Sequence, residues 1–120
     1  MSSLNSFGSI MTFAISLETD LRNFYASAGN DQRAAEADKR RTKLERTRRE
    51  NVLEITLEPL EGLDEADYTF DLDDTSEAGQ AAIEAVAAQF YMDVAPKINV
   101  RQAQRALERC GKQHSALAQS

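Results

Sequence analysis

The chain has 120 residues, 42% of them hydrophobic and 28% charged, and a formal net charge of -6. This length suits one compact domain over residues 1–120, and only two prolines leave room for long helices. The single cysteine, Cys110, excludes an intrachain disulfide, so we expect a reducing, cytoplasmic environment. Residues 1–20 lack a basic leader and their apolar run is interrupted by polar residues. We therefore expect a soluble protein with no signal peptide and no membrane span.

The charges are strongly segregated along the chain. Eight of the fourteen basic residues lie between Arg33 and Arg49, whereas ten of the twenty acidic residues and no basic residue lie between Glu54 and Glu77. A basic helix can bind phosphates, but alternating charges are more typical of a solvated helix face. The acidic overall balance and the lack of interleaved aromatic residues favour a protein with no nucleic-acid partner.

The first predicted helix runs from about residue 3 to residue 28, with Ser2 or Ser3 as its N-cap. Gly29 stands where a left-handed residue ends a helix, and Asn30 or Asp31 caps the next one. One row of positions at alternating steps of three and four is apolar except for a single carboxylate. Its members are Leu4, Phe7, Met11, Ala14, Glu18, Leu21 and Tyr25.

The second predicted helix runs from about residue 32 to residue 54 or slightly beyond, and Pro59 sets its latest end. Because the turn before it is short, the two helices should form an antiparallel hairpin over about residues 3–57. Its inward row is unusually polar for a packed face. The members of that row are Ala37, Arg41, Leu44, Arg48, Asn51 and Ile55.

Residues 58–73 lack helical periodicity and are long for a connection between antiparallel helices. We expect a crossover that runs the length of the bundle, so that the third helix begins at the same end as the second. A locally extended YTFDL segment is expected here. The side chains predicted to hold the crossover against the core are Leu63, Tyr68, Phe70 and Leu72.

The third helix is predicted to begin near Thr75, with Asp74 and Glu77 spaced as a capping box, and to end around Ala95. Asn99 then caps a fourth helix, which completes a second hairpin over about residues 74–119. The inward residues of the third helix are Glu84, Ala87, Tyr91 and Val94. Those of the fourth are Val100, Gln104, Leu107, Gly111, His114 and Leu117 or Ala118.

The second half of the chain repeats features of the first. Glu84 precedes Phe90-Tyr91 by six residues, as Glu18 precedes Phe24-Tyr25. The second helix contains LERTRREN, and the fourth contains LERCGKQH. Two such hairpins, each unable to bury its apolar stripe alone, predict an all-α four-helix bundle with pseudo-twofold symmetry.

At these motifs the chain resembles the rubrerythrin-like branch of the ferritin-like superfamily. Helices one and three of that family look like Ala-x3-Glu-x5-Phe-Tyr, and helices two and four carry Leu-x3-Glu-x2-His. The resemblance implies a ferritin-like bundle of two hairpins joined by a long crossover, with a carboxylate-bridged di-iron centre. Glu18 and Glu84 match the carboxylates of helices one and three, and His114 matches the histidine of helix four.

Three of the family's ligand positions are replaced in this chain. Arg48 stands in place of the glutamate of helix two, Asn51 in place of its histidine, and Gly111 in place of the glutamate of helix four. The remaining donors are too few to hold two metal ions. We therefore expect the Arg48 guanidinium to lie between the two buried carboxylates and to replace the metal. The expected polar cluster is Glu18, Arg48, Asn51, Glu84, His114, Tyr25 and Tyr91.

These features predict a metal-free module without a cofactor and without catalytic residues, which acts as a structural or protein-interaction subunit. A homodimer or a larger assembly is the expected state. The alternative is a rubrerythrin-like metalloprotein that binds iron or another metal through Glu18, Glu84 and His114, with Cys110 as a further ligand, and handles iron or peroxide. Further alternatives are zinc held by Cys110 and His114 together with Glu18 or Glu84, and acid-base chemistry by His114 with Glu84. An aromatic cofactor pocket marked by the repeated Phe-Tyr pairs is another. Packed cysteines, hydrogen-bonded histidines and core aromatics are more common.

Overall fold

The computed structural model describes residue 4 and residues 6–51, 64–98 and 101–119. These residues form four α-helices, two 3-10 turns and no strand, so the prediction of an all-α fold is confirmed. The helices are α1 (Phe7–Ser27), α2 (Asp31–Asn51), α3 (Glu77–Val94) and α4 (Arg101–Ala118), and the 3-10 turns are Glu65–Asp67 and Ala95–Lys97. None of the described helices is long and apolar enough to cross a membrane.

Helix α1 begins after Ser6, not after Ser2 or Ser3 as predicted. The Ser6 hydroxyl accepts a hydrogen bond from the Ser9 amide at 3.0 Å, and the Ser9 hydroxyl accepts one from the Ser6 amide at 3.1 Å. This reciprocal cap satisfies two amides at the start of the helix, with serine in the place usually held by glutamate. Every member of the row predicted to face inward on α1 is buried.

The turn between α1 and α2 follows the predicted chemistry. Gly29 has a positive φ of 79°, which residues with a Cβ adopt at a cost. The Asn30 side chain accepts a hydrogen bond from the Arg33 amide at 3.2 Å, so Asn30 caps α2.

The buried face of α2 is rotated from the predicted one. Its buried members are Ala34, Ala37, Arg40, Leu44 and Thr47. Arg41 points outward, where it pairs with Asp38 at 2.8 Å and Glu45 at 3.0 Å, and Arg48 is exposed. Because a helix has 3.6 residues per turn, the residues three and four positions after Ala37, Arg40 and Arg41, are equally good candidates for the buried face. In the structure Arg40 is the buried one. The Asn51 side chain and Ile55 lie outside the described residues.

Helix α3 begins after Ser76, whose hydroxyl accepts a hydrogen bond from the Gly79 amide at 3.1 Å. Asp74, the predicted cap, accepts from the Ser76 amide at 3.0 Å and supports the cap from outside the helix. The helix ends at Val94, and Pro96 lies in the following 3-10 turn. All four residues predicted to face inward on α3 are buried. The predicted cap of α4, Asn99, lies outside the described residues.

Helix α4 buries Leu107, Gly111 and His114 from the predicted row, together with Ala103, Ala106 and Cys110. Gln104 is only partly buried. A Cβ placed on Gly111 would lie 3.0 Å from the Cβ of Tyr91 on α3. The absence of a side chain at Gly111 therefore lets the two helices of the second hairpin approach closely.

Contacts between the hairpins fix the directions of the helices. Tyr25, near the end of α1, contacts Glu84 in the first half of α3, whereas Glu18 contacts Tyr91 near the end of α3. These two helices are therefore antiparallel. An Arg33 to Gln80 contact of 3.5 Å places the first turns of α2 and α3 at the same end of the bundle.

Part of the predicted crossover, including Leu63, lies outside the described residues. Tyr68 is buried, and its hydroxyl donates to Asp93 near the end of α3 at 2.6 Å. Phe70 is partly buried against the core, as predicted. Leu72 is 38% exposed, so the prediction that it holds this segment was wrong. It lies in an acidic turn between Asp71 and Asp73, and the YTFDL segment forms no strand.

Candidate functional site

The centre of the bundle contains two carboxylates with an imidazole between them. Glu18 of α1, Glu84 of α3 and His114 of α4 are each 0% exposed. His114 Nε2 lies 2.8 Å from Glu18 Oε2, and its Nδ1 forms a hydrogen bond with Glu84 Oε2. The ring of Tyr91 stacks on the imidazole with 5.5 Å between the ring centroids and 6° between the planes. One imidazole therefore links helices of both hairpins.

The contacts of His114 favour its doubly protonated form. Both ring nitrogens face carboxylate oxygens, and a neutral ring would direct a lone pair at one of them. Burial lowers the pKa of His114, but the hydrogen bonds and negative charges of Glu18 and Glu84 outweigh burial, so the pKa is raised. The imidazolium then donates one hydrogen bond to each carboxylate.

Arg40 of α2 supplies a second buried cation. Its Nε donates to Glu18 Oε1 at 2.8 Å, and its Nη1 donates to Gln113 Oε1 at 3.0 Å. Burial raises the pKa of Glu18, but His114 and the positive charge of Arg40 more than compensate, so this pKa is lowered. The buried Nη2 of Arg40 has no hydrogen-bond acceptor among the described residues.

A tyrosine from the opposite hairpin completes the hydrogen bonding of each carboxylate. Tyr25 of α1 donates to Glu84 Oε1, and Tyr91 of α3 donates to Glu18 Oε2, both at 2.6 Å. Burial and the neighbouring carboxylates raise the pKa of both phenols, so the tyrosines remain neutral donors at neutral pH. Two carboxylates, one guanidinium and one imidazolium make the cluster formally neutral.

The structure brings together five of the seven residues expected in the polar cluster, but Arg48 is not among them. Arg48 is exposed and lines a surface depression with Ile15 and Arg49, so its predicted central position was wrong. The guanidinium in the core belongs to Arg40, about two turns earlier on α2. The side chain of Asn51 lies outside the described residues.

Sequence reasoning missed Arg40 and Gln113 as contributors to the cluster, and of these only Arg40 left a signal in the sequence. Arg40 lies three residues after Ala37 and four before Leu44. It therefore faces inward if the inward row runs Ala37, Arg40, Leu44. Gln113, which contacts Arg40, is exposed and left no such signal.

The donor set does not fit a metal centre as it is arranged. His114 directs both ring nitrogens at carboxylates, and both oxygens of Glu18 accept hydrogen bonds from Arg40, Tyr91 and His114. Within the described ranges, no three histidine, cysteine or acidic side chains form a group that could hold a metal ion. The donors are oriented toward each other and leave no shared point for a cation.

Gly111 and Cys110 add no further ligand. Any side chain at Gly111 would press on Tyr91, which explains why a carboxylate is not accommodated there. Cys110 is 4% exposed, and burial followed by the charge of Glu18 raises its pKa to about 12. The thiol is therefore protonated at neutral pH, whereas metal coordination requires the thiolate.

Comparison with known proteins assigns no family to this chain. No family model, no curated protein and no solved structure matches it. The geometry of the cluster is therefore the basis for a functional proposal. Its hydrogen bonds link all four helices, and Arg40 Nη2 is its one buried side-chain donor without a described acceptor.

Proposed function

We propose that this chain is a metal-free, ferritin-like helical module that acts as a structural or protein-interaction subunit. Arg40 and the His114 imidazolium take the role that metal ions play in ferritin-like centres. The observation that carries the proposal is the closed network in which two protein cations neutralise Glu18 and Glu84. Buried charges that are paired and hydrogen-bonded in this way specify one helix arrangement, because each cation requires its partners in place.

The helix directions support a ferritin-like arrangement. The carboxylates lie on α1 and α3 and the histidine lies on α4, as the resemblance implies. The first turns of α2 and α3 lie at the same end, which supports a connection that returns along the bundle. Tyr68 near the end of α3 and Ser76 at its start are consistent with a crossover that runs back along this helix.

An interaction role follows from what the core lacks and what the surface offers. Within the described residues, the carboxylate oxygens of Glu18 and Glu84 and both ring nitrogens of His114 already bond to other members of the cluster, which disfavours an enzyme. On the outside, Met92 is 63% exposed beside an open groove of about 420 Å³ between α3 and α4. An exposed methionine in an apolar groove is typical of protein contacts, so a homodimer or a larger assembly is the proposed state.

Elemental analysis tests the metal-free proposal directly. The protein is purified from medium supplemented with iron, manganese and zinc, and its metal content and visible absorption are measured. We expect a content far below one equivalent and no absorption band. The mass in solution tests the interaction role separately, and we expect it to exceed the 13.3 kDa of the monomer. A stable monomer that binds no partner would contradict that role.

The second candidate is a metalloprotein that uses Glu18, Glu84 and His114, with Cys110 as a further ligand, to handle iron or peroxide. The convergence of two carboxylates and an imidazole favours it. For a metal to bind, His114 would have to lose at least one proton and the contacts that Glu18 makes with Arg40, Tyr91 and His114 would have to change. Stoichiometric metal in the purified protein would establish this alternative and exclude the first.

A further inference from the structure

A basic groove lies between α2 and α4 on the outer side of the buried cluster. Its volume is about 370 Å³, which lies within the range of small-molecule sites. The lining residues are Glu36, Lys39, Arg40, Lys43, Ala106, Arg109, Cys110 and Gln113. Three exposed lining residues are cationic and the one acidic lining residue, Glu36, is half-buried, so the groove is positive although the whole chain carries a net charge of -6.

The exposed cations of this groove differ from Arg41 of α2 in having no ion-pair partner among the described residues. Arg41 is held by Asp38 and Glu45 on another face of the helix. Lys39, Lys43 and Arg109 form no ion pair with any residue that the structure describes. Like charges that converge on one concavity raise the local concentration of anions.

The buried wall of the groove contains the Arg40 guanidinium. Arg40 is only 4% exposed, and the Gln113 side chain covers its Nη1. The Nη2 atom is a buried donor without an acceptor in the described part of the chain. An amide oxygen is a weaker partner for a guanidinium than an anionic oxygen, and a guanidinium matches the oxygens of a phosphate in a fork.

We propose that this groove binds a small phosphate-bearing molecule, whose phosphate displaces Gln113 from Arg40 and is neutralised by Lys39, Lys43 and Arg109. Ala106 and Cys110 form the apolar part of the wall, against which the rest of the ligand packs. The thiol of Cys110 is protonated at neutral pH, so it contributes packing surface and no charge to the groove.

The size of the groove favours a small ligand over nucleic acid. A strand of nucleic acid requires an extended basic track, and single-stranded binding sites add aromatic side chains on which bases stack. None of the described residues that line the groove is aromatic. The overall acidic charge of the chain also repels a polyanion that extends beyond the groove.

Inorganic pyrophosphate is the probe for a calorimetric titration at low and at physiological salt. The groove variant Lys39→Gln/Lys43→Gln/Arg109→Gln is compared with the control Arg48→Gln/Arg49→Gln/Lys97→Gln, whose three residues are exposed and lie outside the groove. Each variant loses three positive charges, so both carry the same formal charge. We expect the groove variant to bind at least about tenfold more weakly and the control to bind like the original chain.

Gln113→Glu is the second variant. It places a tethered carboxylate beside Arg40, so it should compete with the phosphate and weaken pyrophosphate binding while the thermal midpoint is kept or raised. A mere loss of folding would lower that midpoint instead, and far-UV circular dichroism checks the helix content. The proposal would be overturned if both triple variants lost the same affinity for pyrophosphate, or if Gln113→Glu bound pyrophosphate like the original chain. It would also be overturned if a single-stranded oligonucleotide bound more tightly than pyrophosphate and both triple variants lost the same affinity for it. No detectable binding of pyrophosphate would overturn it as well.

Discussion

The Arg40 guanidinium donates a hydrogen bond to Glu18 over 2.8 Å inside the bundle, where the two side chains are 3% and 0% exposed. This contact joins α2 to α1 at the level where His114 joins α4 to α1 and α3. The charges of the cluster are balanced only when both cations are present. The stability of the fold should therefore depend on each member of the cluster much more than on charged residues at the surface.

Arg40→Ala is expected to lower the free energy of unfolding by about 3–5 kcal/mol, because it leaves Glu18 buried with less compensating charge. The matched control is Arg48→Ala on the same helix, which removes an exposed guanidinium and should leave stability nearly unchanged. Urea denaturation followed by circular dichroism measures both. Equal effects of the two substitutions would show that the guanidinium in the core is not the one that holds the cluster.

The pH dependence of stability should have two limbs, and their signs follow from the shifted pKa values. In the folded protein the pKa of His114 is raised above 6.5. The contribution of His114 to the free energy of unfolding is therefore complete below the pKa of the unfolded chain, and it is lost as the pH rises through the pKa of the folded protein. In the folded protein the pKa of Glu18 is lowered below 4.5. The contribution of Glu18 to the free energy of unfolding is therefore complete above the pKa of the unfolded chain, and it is lost as the pH falls through the pKa of the folded protein. Both contributions are present between pH 4.5 and 6.5.

Denaturation across the pH range measures this profile, and His114→Gln should remove the decline on the alkaline side. Nuclear magnetic resonance gives an independent check, because His114 is the only histidine in the chain. Its ring protons should show an imidazolium at neutral pH. A neutral ring at pH 7, or an alkaline decline that persists in His114→Gln, would contradict the assigned protonation.

Substitutions of two tyrosines compare the stabilisation by a hydrogen bond in the buried cluster with that by a similar hydrogen bond nearer the surface. Tyr91→Phe leaves an oxygen of Glu18 with one donor fewer in the core, and we expect it to cost about 1–3 kcal/mol. Tyr68→Phe removes a hydroxyl with the same 2.6 Å donor distance to Asp93, but that carboxylate remains partly accessible to water. Its loss should be clearly smaller in the same denaturation assay. A larger loss for Tyr68→Phe would indicate that the Tyr68–Asp93 contact stabilises the bundle more than the contact between Tyr91 and Glu18 does.

The sequence was most informative where apolar and polar residues alternate cleanly around a helix. On α1 and α3 the rows that contain Glu18 and Glu84 were predicted correctly, because alanines and large apolar residues mark the inward side without ambiguity. These rows also placed Tyr25 and Tyr91 next to the carboxylates. His114 followed from its position on α4, where Leu107 and Gly111 precede it on the same face.

Helix α2 shows why the rest could not be predicted. Leu44 is its only large apolar residue, and charged side chains lie on every other side of the helix. The difference in hydrophobicity between the faces of the helix is then too small to show whether Arg40 or Arg41, and whether Thr47 or Arg48, faces inward. The two members of each pair are adjacent in the sequence, and a period of 3.6 residues allows either one. The choice depends on a tertiary contact, the buried Glu18, which is distant in the sequence. Packing against α1 therefore decided the rotation of α2.

Glycine substitutions on two helices should have effects of opposite sign. Gly111→Ala places a Cβ 3.0 Å from the Cβ of Tyr91, whose side chain is fixed by its bond to Glu18 and its stacking on His114. Because that neighbour cannot move without disturbing the cluster, we expect a loss of about 1–3 kcal/mol. In the first turn of α1, the Cβ of Gly8→Ala meets no atom of the described residues closer than 4.0 Å. Reduced freedom of the unfolded chain should then stabilise the protein by about 0.4–1 kcal/mol. Thermal and urea denaturation measure both variants, and a stabilising Gly111→Ala would show that α3 and α4 have room to separate at the level of the cluster.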